Sequence, residues 1–131
     1  MPANGSLAVD TNVAIAFLSG EHNVHRQFAE AEQIFLSIVV LGESYFGATR
    51  SGRVEHNLRQ IESLAAVCQV VDLDVETARN YGAIKSALRR NGTPIPDNDI
   101  WIAASAMYLD VALATRDNHF DVVENLAVVR W

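Results

Sequence analysis

The chain has 131 residues, of which half are hydrophobic and a fifth are charged. This length and composition are typical of one globular domain, and we expect residues 1–131 to form a single domain. No apolar run approaches the ~18 residues of a membrane span, and the N-terminus lacks the basic and apolar regions of a signal peptide. The lone cysteine, Cys68, lies in an apolar run, which predicts a buried, inert thiol in a cytoplasmic protein.

Taken as a whole, the net charge of −6 argues against a protein that binds nucleic acid, because phosphate contacts need Lys and Arg. The distribution of charge modifies this view. If four of the 16 acidic residues surround a metal ion, the remaining 12 nearly balance the 10 basic residues. The basic residues also cluster within 50–59 and 79–90, although solvated helix faces account for such clusters equally well.

Hydrophobic periodicity predicts alternating strands and helices. Strands are expected at 7–9, 34–36, 67–73, 111–115 and 126–129, the last at an edge, and helices at 11–18, 23–32, 38–49, 54–66, 75–91 and after residue 97. Ser37, Asp74 and Asp97 are the expected N-caps. This order predicts an α/β fold with a central, mostly parallel β-sheet and helices on both faces.

Four carboxylates occupy equivalent places in this arrangement. Asp10 and Asp117 directly follow strands, Glu43 lies in the helix after a strand, and Asp99 opens a helix beside the fourth strand. Because the carboxyl ends of parallel strands converge, these side chains are candidates for one site. Like charges in one pocket would force protonation, whereas a divalent hard cation such as Mg²⁺ or Mn²⁺ resolves the conflict and suits phosphodiester hydrolysis.

Simpler roles are open for two of these acids. Asp10 is also placed to cap the helix that follows it. Glu43 is the one residue charged at neutral pH between Glu32 and Arg50, and it either joins the site, faces solvent or pairs with an arginine.

The blocks around these acids resemble the four signature blocks of PIN domains. The blocks are residues 10–12 (Asp-Thr-Asn), 37–47 around Glu43, 99–104 (Asp-Ile-Trp-Ile-Ala-Ala) and 115–117 (Thr-Arg-Asp). The likeness spans nearly the whole chain and is greatest to the VapC ribonuclease toxins of prokaryotic toxin–antitoxin modules. It implies a PIN fold, Mg²⁺- or Mn²⁺-dependent endoribonuclease activity, dimerisation and inhibition by a cognate antitoxin protein.

The resemblance also assigns roles by position. Asp10, Glu43, Asp99 and Asp117 match the acidic quartet of the family, which holds the metal and carries catalysis. Polar residues match those that surround the quartet: Thr11, Asn12 and Thr115. The family pattern gives no role to Asp97, an additional acid before the third block, or to Asn118.

Other interpretations compete with this one. The acids also suit a phosphoryl-transfer domain of receiver or phosphatase type, but its partner lysine is missing, since the only lysine, Lys85, lies in mid-helix. A non-catalytic module that binds RNA or protein is the third possibility. Arg116 is a candidate for either an RNA phosphate contact or a structural ion pair. Aromatic residues near the site are expected in the core, with a dimer or antitoxin surface as the alternative: Tyr45, Phe46, Trp101 and Tyr108.

Overall fold

The computed structural model describes residues 5–131, which form five strands, six α-helices and one 3₁₀ helix. The strands are β1 (Ser6–Val9), β2 (Gln33–Ser37), β3 (Gln69–Val71), β4 (Ala112–Thr115) and β5 (Val128–Arg130). The α-helices are α1 (Thr11–Leu18), α2 (His22–Glu30), α3 (Ile38–Thr49), α4 (Val54–Val67), α5 (Val75–Arg90) and α6 (Asp97–Leu109). The 3₁₀ helix covers Asn118–Val122.

The strands form one parallel sheet in the order β3-β2-β1-β4-β5. In the register of this sheet Ala8 lies between Phe35 of β2 and Leu113 of β4. The chain moves outward from β1 to β3 and then crosses to β4, so right-handed crossovers place helices on both faces. The predicted α/β class, the parallel sheet and the edge position of the last strand are confirmed.

Two of the three predicted N-caps are confirmed. The Ser37 hydroxyl accepts a hydrogen bond from the Val39 amide at 3.1 Å, and the Asp74 carboxylate accepts one from the Thr77 amide at 2.9 Å. The third prediction is wrong, because Pro96 is the N-cap of α6 and Asp97 is the first helical residue. Because the extended backbone of Pro96 leads directly into the helix, α6 begins one residue earlier than predicted.

Two segments differ from their predicted extents. β3 covers three residues, because α4 continues through Val67 and takes the start of the predicted strand. The 3₁₀ helix after β4 was predicted as a loop. Asp117 caps this turn by accepting a hydrogen bond from the His119 amide at 2.8 Å, and Phe120 anchors the turn in the core.

The expectation that the aromatic residues pack in the core is wrong for three of the four. Phe46 is 61% exposed, and Tyr45 and Tyr108 are also exposed. Trp101 is half-buried and stacks on Tyr81 of α5 with a ring-centroid distance of 4.1 Å. The outer surface of α3 is therefore partly apolar.

The remaining predictions concern the N-terminus, membrane spans and Cys68. The expectation that the chain begins without a signal peptide concerns residues 1–4, which lie outside the described range. None of the helices within 5–131 has the length and apolar character needed to cross a membrane. Cys68 is half-buried, and burial raises the pKa of its thiol to about 11, which agrees with the predicted inert thiol.

Candidate metal centre

The four predicted carboxylates converge on one open depression of about 320 Å³ at the carboxyl edge of the sheet. Each of the four carboxylates is positioned by a different element of the fold. Asp10 is the first residue after β1 and Asp117 the second residue after β4, while α3 and α6 carry Glu43 and Asp99 on their early turns. The predicted convergence is therefore present, and it arises because the parallel register of β1 and β4 brings their ends side by side.

Asp10 caps α1 and also lies in the acidic depression, with a different hydrogen-bond donor at each carboxylate oxygen. One oxygen, Oδ1, accepts a hydrogen bond from the Thr11 amide at 2.7 Å and caps α1. The other, Oδ2, accepts a hydrogen bond from Thr115 Oγ1 at 2.7 Å. Thr115 is fully buried, and its hydroxyl oxygen accepts a bond from the Asp117 amide at 3.0 Å. Thr115 thus fixes the relative positions of two acids from neighbouring strands.

Glu43 is held by two uncharged donors. Thr11 Oγ1 donates a hydrogen bond to Glu43 Oε1 at 2.5 Å, and the Asn98 side-chain amide donates one to Oε2. Glu43 therefore joins the site, and within residues 5–131 no arginine pairs with it. Asn98 was not recognised in the sequence, where it lies between two aspartates and resembles an ordinary residue of a helix start.

A histidine that the sequence analysis missed lies between two of the acids. His119 Nδ1 is 2.8 Å from Asp99 Oδ2 and 3.3 Å from Asp117 Oδ2. One ligand atom from each of these three residues lies within 4.8 Å of the other two, which is a spacing that suits metal coordination. The available signal was the position of His119 two residues after a strand-end acid, but its approach to Asp99 depends on the unpredicted 3₁₀ turn.

Burial dominates the electrostatics of the site. Desolvation raises the pKa of the Asp10 carboxyl, and the charges of Asp99 and Asp117 raise it further. The hydrogen bond from Thr115 acts in the opposite direction and lowers this pKa. Desolvation likewise raises the pKa of Asp99, which His119 partly opposes. The hydrogen bond to Asp99 in turn raises the pKa of His119. The site therefore carries negative charge that its protein neighbours only partly compensate.

The donor set fits a divalent cation. Asp10 and Asp99 are only 3% and 8% exposed, and each faces further carboxylates at the depression. Buried, uncompensated carboxylates are unfavourable, and a divalent cation removes this cost. Carboxylate oxygens are the ligands of hard cations, and one imidazole at the rim is compatible with several divalent metals.

The outer residues of the site have distinct roles. Asn12 lines the depression, and its Oδ1 accepts a long hydrogen bond of 3.3 Å from the Arg116 amide. The Arg116 guanidinium makes two hydrogen bonds to Glu21, at 2.7 and 3.0 Å, and a third to the Trp131 carbonyl. Of the two alternatives for Arg116, the ion pair is therefore the one observed. Asn118 is exposed and is not among the residues that line the depression.

The additional acid, Asp97, faces away from the cluster. Its Oδ1 accepts a hydrogen bond from Lys85 Nζ at 2.9 Å, and this bond holds the pKa of Asp97 below its ordinary value. Lys85 also donates a bond to the Tyr81 hydroxyl at 3.2 Å. The only lysine of the chain is thus bound to α5 and the start of α6, on residues that do not line the acidic depression.

A cluster of carboxylates at the carboxyl edge of a five-stranded parallel sheet is typical of one class of α/β domains, those whose acids can hold a divalent cation. Comparison with protein families makes this class specific, because residues 7–126 match the family model of the PIN domain. The chain belongs to the PIN domain family. The sequence resemblance is thereby confirmed.

The sequence similarity to known relatives extends over nearly the whole chain. The tRNA(fMet)-specific endonuclease VapC of Salmonella typhimurium is 28% identical over 126 residues, which cover 94% of this chain and 96% of the relative. Ribonuclease VapC2 of Haemophilus influenzae is 29% identical over the same length, with the same coverage.

Solved structures agree on the fold. The toxin–antitoxin complex VapBC of Salmonella typhimurium, bound to DNA, matches with a TM-score of 0.89 and 27% identity, covering 97% of this chain and 98% of that chain. VapBC2 of Rickettsia felis, bound to a promoter DNA fragment, matches with a TM-score of 0.90 at 22% identity, covering 96% and 98%. The second likeness supports the fold alone.

Proposed function

We propose that this chain is a metal-dependent endoribonuclease that cleaves RNA phosphodiester bonds, and that it is the toxin of a type II toxin–antitoxin module. The observation that carries the proposal is the meeting of four carboxylates from four elements in one depression. Membership of the PIN family and the names of the relatives, which include ribonucleases and a tRNA endonuclease, support the same function.

The proposed metal is Mg²⁺ or Mn²⁺, held by Asp10, Asp99 and Asp117 directly or through water. When bound, such an ion polarises the scissile phosphate, lowers the pKa of water and stabilises the leaving oxygen. Glu43 completes the site or orients the attacking water with its carboxylate, which Thr11 and Asn98 hold in place. Because these hydrogen bonds fix the acids, the carboxylate oxygens are already oriented before the RNA binds.

The surrounding polar residues position the quartet. Thr11 and Thr115 orient Glu43 and Asp10 through their hydroxyls, and Asn12 supports the backbone beside Asp117 through its bond to the Arg116 amide. His119 Nδ1 lies 2.8 Å from Asp99 and 3.3 Å from Asp117, and the hydrogen bond to Asp99 raises the pKa of the imidazole, which favours the cationic form that offsets part of the charge of these acids. We assign His119 a positioning role at the rim of the site.

We further propose a cognate antitoxin protein as partner, since structures similar to this chain are toxin–antitoxin complexes. A homodimer is the proposed state of the toxin itself. The exposed apolar surface of α3, which carries Tyr45 and Phe46, supports a protein contact on this side of the molecule. An antitoxin segment whose basic residue approaches the acids would inhibit cleavage by neutralising the site.

The experiment that tests the activity uses purified, partner-free protein and total cellular RNA. Cleavage is measured with Mg²⁺, with Mn²⁺ and with EDTA, beside the variant Asp99→Asn. The proposal expects metal-dependent cutting at discrete sites, and loss of that cutting in a variant that is still folded. Retained cleavage in Asp99→Asn would refute the assignment of the site.

A second candidate, the phosphoryl-transfer domain, requires a lysine beside a nucleophilic aspartate. Lys85 is bonded to Asp97 and Tyr81 instead, which is an observation against this candidate. Transfer of a phosphoryl group from a small acyl phosphate to Asp10 would favour it. A folded protein that binds metal and RNA without cutting would favour the third candidate, a non-catalytic binding module.

A further inference from the structure

A second cavity adjoins the acidic depression and is lined by a different kind of residue. It has a volume of about 490 Å³ and lies between α1, α3 and α4. Ile15 and Glu43 line both spaces, so the cavity opens beside the acid cluster. A volume of this size is within the range of small-ligand sites.

The wall formed by α4 is polar and carries positive charge. His56, Asn57 and Gln60 line the cavity from one face of α4, and Arg53, the N-cap residue of this helix, lines it as well. The opposite wall is α1, where Ile15 is 51% exposed. The cavity therefore offers an apolar surface opposite amide, imidazole and guanidinium groups.

The cation of this wall is not used by the fold. Within residues 5–131, Arg53 is exposed and forms no ion pair. Glu43 is the sole carboxylate that lines the cavity, and it is already held by Thr11 and Asn98. In a chain with a net charge of −6, a guanidinium that lines the cavity and pairs with no acid in the described part of the chain is suited to contact a phosphate.

We propose that this cavity is the subsite that binds one nucleotide of the RNA strand adjacent to the cleaved phosphodiester. The inference rests on the proposed ribonuclease function. The base lies against Ile15 and Leu18, while the Gln60 amide and the His56 ring are placed to read its edge, as amide side chains read bases elsewhere. The Arg53 guanidinium binds the phosphate of that nucleotide. Substrate preference next to the cut is then determined by α4.

Gln60 and Arg53 are the residues to test. Asn57 is a poorer choice, because its amide donates a hydrogen bond to Ser51 at 2.9 Å and so supports the turn before α4. The Gln60 amide makes only a 3.5 Å contact with His56, so its removal leaves the helix intact. Arg59 of the same helix is exposed and does not line the cavity, which makes Arg59→Ala the matched control for Arg53→Ala.

The test measures kcat and KM on a fluorogenic RNA library randomised around the cut site, with Mn²⁺, for the intact protein and the variants. Arg53→Ala is expected to lower kcat/KM by about tenfold, through KM, which corresponds to one lost phosphate contact. Gln60→Ala is expected to relax the base preference at one position next to the cut by about tenfold or more. Arg59→Ala is expected to match the wild type.

The outcomes separate this inference from the proposed function. If the wild type does not cut at all, the proposed function fails and the subsite fails with it. If the wild type cuts and Asp99→Asn does not, but Arg53→Ala and Gln60→Ala have wild-type KM and base preference, the subsite alone is refuted. Loss of affinity for an antitoxin in these variants with unchanged cleavage would likewise refute it and assign the cavity to a protein partner.

Discussion

Thr115 on β4 donates a 2.7 Å hydrogen bond to Asp10, the residue that follows β1, although the two residues are 105 positions apart in the sequence. The same hydroxyl oxygen accepts a bond from the Asp117 amide. One fully buried side chain therefore joins two neighbouring strands to two acids of the candidate metal centre. The orientation of these acids depends on the parallel register of the central strands.

The first prediction concerns this hydroxyl. Thr115→Val keeps the shape of the side chain, but it leaves Asp10 Oδ2 without its donor and the Asp117 amide without its acceptor. We expect a loss of roughly 1–3 kcal/mol in the free energy of unfolding. We also expect metal affinity to fall by about ten- to a hundredfold. Chemical denaturation and calorimetric titration with Mn²⁺ measure the two effects.

Thr115→Ser is the matched control, because it retains the hydroxyl and removes one methyl group. It should bind metal almost as well as the wild type, while its stability falls by about 1 kcal/mol through the buried methyl. Equal metal affinity in the Val and wild-type proteins would show that the threonine does not orient Asp10.

The second prediction concerns the cost of the acid cluster without metal. Burial raises the pKa of Asp99 above its ordinary value of 3.8, so its ionised form destabilises the folded protein at neutral pH. Asp99→Asn removes that charge, and its amide oxygen can still accept the bond from His119. We therefore expect a higher thermal midpoint in EDTA than the wild type has at pH 7.

The sign of this effect changes when metal is added. A ligand that binds only the folded state at a hundred times its Kd stabilises by about 2.7 kcal/mol, so the wild type should gain and Asp99→Asn should gain much less. Below pH 3.8 the carboxyl is neutral in both the folded and the unfolded wild type, and the difference measured in EDTA should disappear. Thermal melts across pH, with and without Mn²⁺, check both statements. A lower midpoint for Asp99→Asn in EDTA at pH 7 would contradict the electrostatic argument.

The sequence was sufficient for the fold class and for the four acids, for a physical reason. Buried parallel strands have nearly continuous apolar residues, and an acid that ends such a run, as Asp10 does after Val9, is conspicuous. The parallel order then predicts that strand-end acids meet. The same reasoning applies to Glu43 and Asp99, which lie in the early turns of helices that begin at that edge.

The partners of the acids were harder to predict, because they depend on geometry over a few ångströms. His119 reaches Asp99 only because residues 118–122 form a tight 3₁₀ turn, which has no hydrophobic period to recognise. Asn98 bonds to Glu43 from the first turn of α6, which begins at Asp97 and therefore one residue earlier than predicted. Side-chain pairs of this kind are determined by helix boundaries, the least predictable feature of a sequence.

The third prediction concerns the helix that carries Glu43. Ser37 caps α3 through its bond to the Val39 amide, and it is buried at the end of β2. Ser37→Ala removes that acceptor, and we expect the free energy of unfolding to fall by about 1 kcal/mol. Urea denaturation followed by circular dichroism measures the change.

Ser63→Ala provides the comparison for the cap. Ser63 lies on the exposed face of α4, where its hydroxyl donates to the Arg59 carbonyl within the helix. Alanine is the better helix former, so this variant should be as stable as the wild type or slightly more stable. Equal losses in the two variants would mean that the Ser37 bond contributes nothing specific to α3.

The fourth prediction concerns Cys68, whose pKa burial raises from 9.0 to about 11. The thiolate is the reactive form, so at pH 8 the folded protein should be alkylated by iodoacetamide about a hundredfold more slowly than a free cysteine. The rate should increase about tenfold per pH unit until the pH approaches 11, and guanidinium chloride should abolish the protection. Mass spectrometry of the quenched samples gives the rates.

The raised pKa of Cys68 also makes the stability of the fold depend on pH. Because the folded state holds the Cys68 proton more tightly than the unfolded state, the thiol contributes stability that is fully present below pH 9 and is lost as the pH rises through about 11. Cys68→Ala lacks this titration, so its stability should decline less over that interval. If the folded wild type is alkylated at pH 8 as fast as the denatured protein, Cys68 ionises normally and its apolar surroundings do not protect it.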